Sequence, residues 1–265
     1  PPRSTLFPYT TLFRSCIVKH IEEDSEDNLF KLICIPYSGG SSEVFARWDD
    51  VLGGSFKVLK FDYPKLEFGS FDGSNQQLDD LVYDVLNIIK GVNGPYAIFG
   101  HSMGAVITYL AASKTKAMGF PDPTHVILSG FEPPHIYFAR HNEAHKLSDD
   151  SFIEVLKKME SIPKALLENT RALKLYLPAI RHDFYLLESY NFRPDRLSLG
   201  SKVAVFIGKD DPITQNVQRS EWLKYSTDAC EIYDFEGNHF FIESYATQVA
   251  STVREILDTR KVVLK

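Results

Sequence analysis

The chain has 265 residues, of which 44% are hydrophobic and 24% charged, values that exclude a disordered or collagen-like polymer and predict a globule able to bury its core without disulfide or metal staples. Its 29 basic and 35 acidic side chains leave a net charge of −6, so neither nucleic acid nor a membrane is an expected partner, and no run approaches the roughly eighteen apolar residues of a spanning helix. Cys16, Cys34 and Cys230 are too few and too scattered for a disulfide framework or a zinc site, which makes a reducing cytoplasm the expected compartment.

Residues 1–15 repeat Thr-Leu-Phe at 5–7 and 11–13 and lack the basic start and apolar centre of a signal peptide. They are expected to be non-native, ahead of a single domain over 16–265. Short apolar runs follow at 30–36, 56–63, 96–100, 125–129, 203–208 and 230–235, rich in Val, Ile and Phe, and predict strands buried on both faces. Leu78, Leu81, Val82, Val85 and Ile89 stand at helical spacing between the second and third runs, as do Tyr245, Val249, Val253 and Ile256 near the end. Strands alternating with helices predict an α/β fold, with a mostly parallel, doubly wound sheet.

Between about 133 and 196 the alternation stops. Helical patterns at 149–160, 163–177 and 180–190 follow one another, with Ser148 as a helix start and Pro163 in a first turn. This segment is expected to be a helical lid over the sheet's edge, with Phe152, Leu156 and Met159 facing the sheet.

Four loops carry residues suited to chemistry. After the first run comes Pro36-Tyr37-Ser38-Gly39-Gly40, which has neither the G-x-G-x-x-G pattern nor the lysine of a nucleotide loop. The third run leads into Gly100-His101-Ser102-Met103-Gly104 and then a helical stretch over 105–113. G-x-S-x-G between strand and helix is the pattern of a nucleophile elbow, which lifts the serine hydroxyl above the sheet. A serine hydroxyl is a weak nucleophile at neutral pH and needs a base oriented by a carboxylate, here in the chain order Ser, acid, His. Asp210 and Asp211 follow the fifth run, and Gly237-Asn238-His239 follows the sixth.

Ser102, Asp211 and His239 are the predicted triad, with Asp211 preferred to Asp210 because Pro212 biases it toward an extended backbone. Among eight histidines, His101 is expected to point away from the serine. His20, His125, His135, His141, His145 and His182 are expected to be surface or packing residues. The oxyanion hole is expected from the backbone N–H of Met103 and that of Ser38, with Tyr37 as the alternative to Ser38.

These residues resemble the type II (external) thioesterases of nonribosomal peptide and polyketide synthesis. The likeness runs from about Lys31 to Ile256. It rests on residues 35–40, the elbow, Pro133-Pro134-His135, then Arg181, Asp183, Phe184, Glu188 and Tyr190, and finally 208–212 and 237–240. Residues 62–66, Asp-Tyr-Pro-Lys-Leu, replace a Pro-Gly-basic-Gly turn common in the family, and Ser38 replaces a small apolar residue.

The resemblance implies an α/β-hydrolase fold and a discrete hydrolase that removes misprimed acyl groups from the phosphopantetheine arm of an acyl or peptidyl carrier protein. It implies no cofactor or metal of the enzyme's own, the phosphopantetheine belonging to the substrate, and it favours Asp211 as the acid. A carboxylesterase, an acyl-CoA thioesterase and a non-catalytic binding module are the competing readings.

Overall fold

The structure, a computed structural model, describes residues 29–64, 77–140, 142–193 and 197–258. Residues 1–15, Cys16, His20, Lys65, Leu66, His141 and the end of the expected lid at 194–196 lie outside the described residues.

Six strands, β1 (Phe30–Ile35), β2 (Phe56–Lys60), β3 (Tyr96–His101), β4 (His125–Ser129), β5 (Lys202–Gly208) and β6 (Cys230–Phe235), form one sheet in the order β2-β1-β3-β4-β5-β6. Every pairing is parallel. Alternate side chains divide the core into two layers. Ile33, Ile35, Ile98, Val126, Leu128 and Val205 meet α2 (Leu78–Lys90) and α3 (Met103–Lys114) on one face. On the other, Leu32, Cys34, Phe99, Ile127 and Phe206 meet α1 (Trp48–Leu52) and the C-terminal helix Ala246–Leu257.

The expectation that all six strands are buried on both faces fails at β2 and β6. Both lie at the edges of the sheet, where among the described residues one side has no neighbouring strand, and most of their residues are partly exposed.

The chain leaves β1 toward β2 on one side and returns past β1 to β3 on the other. The C-terminal ends of β1 and β3 therefore flank the point where the strand order reverses, which is where open parallel sheets form a crevice.

Between β4 and β5 the chain forms α4 (Pro134–Ala139), a 3-10 turn at Ala144–Lys146, α5 (Asp149–Lys158), α6 (Lys164–Leu167) and α7 (Thr170–Glu188). Ser148 caps α5 as the sequence predicts, accepting from the Ser151 amide at 3.4 Å. The predicted break between 177 and 180 is absent, and α7 runs through Pro178. A proline inside a helix costs about 3 kcal/mol. Leu173, Leu177, Ile180 and Phe184 form one stripe across both halves of α7, and burying that stripe offsets the cost.

Phe152 and Leu156, expected from the sequence to face the sheet, do not. They close with the α7 stripe and Ile162 into a third cluster separate from the two sheet layers, with Met159 packed against it. Phe152 is its centre, edge-on to Phe184 at 5.2 Å and under the Arg181 guanidinium at 4.3 Å. Phe152→Ala should remove a few kcal/mol of local stability. Hydrogen exchange should then speed up across 149–188 and stay unchanged in β1, β3 and β4; uniform acceleration would show instead that the insertion and sheet unfold as one unit.

Candidate active site

Ser102 sits between β3 and α3 with φ +56°, a left-handed conformation that side chains other than glycine rarely adopt. Its neighbours explain how the turn closes. A Cβ on Gly100 would lie 2.0 Å from the Gly104 carbonyl oxygen, and one on Gly104 would lie 2.4 Å from the carbonyl oxygens of Ile35 and Pro36. Strand, helix and the loop after β1 thus touch backbone to backbone, and only glycine fits. The Ser102 amide donates to the Ser129 carbonyl at 2.8 Å, which pins the elbow to β4.

Two further loops bring the imidazole and the carboxylate to the hydroxyl. Gly208 permits this approach, since a Cβ there would lie 2.8 Å from the Asn238 carbonyl oxygen, and the Asp210 amide bonds the Gly237 carbonyl at 3.0 Å. His239 Nδ1 lies 3.1 Å from Asp211 Oδ2 and Nε2 lies 3.0 Å from Ser102 Oγ. Asp211 Oδ1 accepts from the Ile213 amide at 3.0 Å. Asp211 is fully buried and Asp210 exposed, so of the two acids the structure brings Asp211 to the histidine. An ionised carboxylate only accepts, which puts the proton on Nδ1 and leaves Nε2 to accept from the serine hydroxyl. Such a series can activate a hydroxyl for attack on a carbonyl carbon.

Met103 is the first residue of α3, where a backbone N–H has no acceptor within the helix. Ser38 lies in the loop pressed against Gly104. Its hydroxyl donates to Asp183 Oδ2 at 2.7 Å and the next amide, Gly39 N–H, donates to the same oxygen at 3.0 Å. Tyr37, the alternative donor, turns its phenol to the Glu243 carboxylate and sets its ring edge-on to Phe240 at 5.1 Å.

Next to the acid loop a cleft of about 550 Å³ opens between Pro212 and Ile213 on one side and Val155, Lys158, Met159 and Phe184 of the insertion on the other. The buried Glu132 carboxylate on its wall is matched by a two-pronged pair with Arg140, at 2.7 and 2.6 Å. Burial pushes the Glu132 carboxyl up, and Arg140 opposes that shift. Among the described residues no group of three or more His, Cys, Asp or Glu side chains is placed to hold a metal ion, and no helix is long and apolar enough to cross a membrane.

A family model for the thioesterase domain matches residues 30–257. The chain belongs to the thioesterase family. It is 28% identical over 213 residues to the gramicidin S biosynthesis protein GrsT of Aneurinibacillus migulanus, covering 80% of this chain and 82% of that one. The human medium-chain S-acyl fatty acid synthase thioesterase is also 28% identical, over 86% of this chain and 84% of its own. Among solved structures, RedJ, a thioesterase from the prodiginine biosynthetic pathway in Streptomyces coelicolor, superposes with a TM-score of 0.75 at 26% identity, covering 92% of both chains. The α/β-hydrolase architecture expected from the sequence is that of these thioesterase structures.

Other residues singled out in the sequence of this thioesterase build the insertion. Arg181 donates to the carbonyls of His145 and Leu147 at 2.8 and 2.7 Å and to Asp149 at 2.7 Å. Glu188 accepts from the Ala144 and His145 amides, each at 2.9 Å. His135 bonds Glu221 at 3.0 Å and the Tyr225 hydroxyl at 2.8 Å, and His145 bonds Glu188 at 2.5 Å, consistent with packing roles.

His101 does more than sequence reasoning allowed. It is fully buried, with Nε2 2.9 Å from the His239 carbonyl oxygen and Nδ1 2.8 Å from the Ser129 hydroxyl. A carbonyl only accepts, so Nε2 carries the proton and the ring anchors the backbone of His239 from below.

Desolvation, reinforced by the nearby His239, holds the His101 imidazole well below its ordinary value. Below about pH 6.5 the unfolded chain takes up a proton that the folded chain refuses, so stability should drop as the pH is lowered, by up to about 1.4 kcal/mol per unit from this group. Urea midpoints measured between pH 7.5 and 5 should decline less for His101→Gln than for the parent. Equal slopes would show that the buried ring does not set this dependence.

Proposed function

We propose that the chain is a serine thioesterase that hydrolyses acyl groups from the phosphopantetheine arm of carrier proteins, the editing activity of a type II thioesterase serving nonribosomal peptide or polyketide synthesis. One observation carries the reading: within a chain of the thioesterase family, Ser102, His239 and Asp211 stand in hydrogen-bonded series on loops after the C-terminal ends of β3, β6 and β5. The relation to GrsT and RedJ, which belong to gramicidin S and prodiginine pathways, supports the carrier-bound substrate.

In this mechanism Ser102 Oγ attacks the thioester carbonyl carbon as His239 Nε2 takes its proton. Asp211 keeps the imidazole oriented and stabilises the imidazolium. The carbonyl oxygen, now negative, is held by the amides of Met103 and Ser38. The tetrahedral species collapses, the C–S bond breaks, and the pantetheine thiolate receives the proton from His239. Water then attacks the acyl-serine ester, giving its proton to His239, and Ser102 leaves with that proton as the acid is released. The cleft beside Pro212 and Ile213, lined by Val155, Met159 and Phe184 together with the charged Glu132, Arg140, Lys158 and Glu188, has the size to take an acyl chain. No step calls for a metal or a cofactor.

Ser102→Ala should reduce turnover about 10⁴-fold or more with the fold retained. Asp211→Asn should impair turnover far more than Asp210→Asn, since only the buried carboxylate orients His239. Retained activity in Ser102→Ala, or greater damage from Asp210→Asn, would refute the triad as assigned.

The triad does not encode the leaving group, which keeps acyl-CoA hydrolysis as a second reading. Matched acyl groups presented on a carrier protein, on CoA and as a nitrophenyl ester separate the two. The carrier-bound form should give the highest kcat/KM, and an equal or higher value for CoA or the ester would overturn the carrier assignment.

A further inference from the structure

We propose that Asp183 is a positioning residue through which the helical insertion holds the oxyanion loop, so that the Ser38 amide is aimed at the substrate oxygen only while α7 is seated on the body. This deepens the hydrolase reading and rests on it.

The loop at 36–40 is fastened in two ways. Its flanks are tied to the body of the molecule, where the Tyr63 hydroxyl donates to the Pro36 carbonyl at 2.7 Å and Tyr37 bonds Glu243, and the loop closes on itself through the Gly40 amide and the Tyr37 carbonyl at 2.9 Å. Its centre is tied to the insertion. A single oxygen, Asp183 Oδ2, accepts both the Ser38 hydroxyl and the Gly39 amide, across some 145 residues of chain. Ile180, one turn earlier on α7, stands 3.6 Å from where a Gly39 side chain would begin, and Gly39 itself has φ +70°. The residues gripped by α7 are thus Ser38, whose amide is the proposed donor, and its immediate neighbour.

The chemistry of the contact argues that more than packing is served. Among the described residues Oδ2 meets a hydroxyl and an amide rather than a cation. Burial pushes the carboxyl up to about 6, opposed by those two donors. An apolar side chain would fill the same space without that desolvation cost. What the carboxylate adds is a fixed direction for two backbone units. A carbonyl oxygen that becomes negative only in the transition state depends on such direction, because a donor shifted by a fraction of an ångström loses most of its differential effect. Unseating α7 would therefore leave Ser102 and His239 intact and the oxyanion site unformed.

Asp183→Ala should lower kcat for an acyl thioester by about 10²-fold, the scale of one lost oxyanion donor, with KM within about threefold. Phosphonylation of Ser102 by a fluorophosphonate, which needs the same two amides, should slow in parallel. Asp183→Asn keeps an amide oxygen that can accept both donors and should stay within about fivefold of the parent. Ser38→Ala, which deletes one of the two bonds but keeps the amide, should fall between.

Should Asp183→Ala fail to fold, the ordering of the Asn and Ser38 variants decides. Asn as damaging as Ala, an unchanged Ser38→Ala, or a loss confined to KM would overturn the proposal. Parent-like kcat in Asp183→Ala would do the same while leaving the triad standing. A parent enzyme in which Ser102 is neither labelled nor needed for turnover would instead overturn the hydrolase reading beneath it.

Discussion

The site depends on a place where three stretches of backbone are too close for side chains. The end of β1, the start of α3 and the turn at Ser102 meet through carbonyl oxygens and α-carbons at Gly100 and Gly104, with 2.0 to 2.4 Å separating those oxygens from any Cβ that might be added. The contact holds Ser102 in a left-handed backbone that it would otherwise leave, a strain on the order of 1–3 kcal/mol held by the surrounding sheet. It also presses the loop after β1 against the amide end of α3, so the geometry that exposes the hydroxyl sets the neighbouring backbone donors beside it. Either glycine could change only by moving main chain.

A parallel sheet makes the remainder of the arrangement economical. All six strands end on the same side, and three loops far apart in the chain arrive there together. They are joined by backbone contacts as well as by the Ser102–His239–Asp211 series: Ser102 N–H to Ser129, Asp210 N–H to Gly237, and the His101 ring to the His239 carbonyl. These bonds remove freedom that would otherwise have to be lost in each catalytic cycle.

Much of this could be read from the sequence because it depends on local pattern. The six apolar runs, the elbow glycines, and the acid and histidine after the last two strands each announce themselves within ten residues. Asp211 could be separated from Asp210 by Pro212, a backbone effect of the adjacent residue. What escaped depends on contacts between distant segments. Pro178 suggests a break when α7 is read alone, and the helix persists because its stripe is buried against Phe152 and Leu156. Strand exposure at β2 and β6 follows from strand order, which no single strand encodes. The grip of Asp183 on Ser38 and Gly39 joins residues that no periodicity connects, and a carboxylate in an amphipathic helix reads most simply as a solvated one.

The insertion's separate apolar cluster bears on how such a protein can change over time. Phe152, Leu156, Leu173, Leu177 and their neighbours share no layer with the sheet, so a change among them falls first on a local unit. The insertion also supplies one wall of the cleft, while Pro212 and Ile213 on the body supply the other. On the proposed reading of that cleft, drift within α5 and α7 redraws the acyl wall while Ser102, His239 and Asp211 stay where the body of the molecule holds them. Exchange of a whole insertion is more demanding, because the incoming α7 must supply both a carboxylate one turn after Ile180 for the loop at Ser38 and, at Leu186 and Leu187, side chains that complete the sheet's own core.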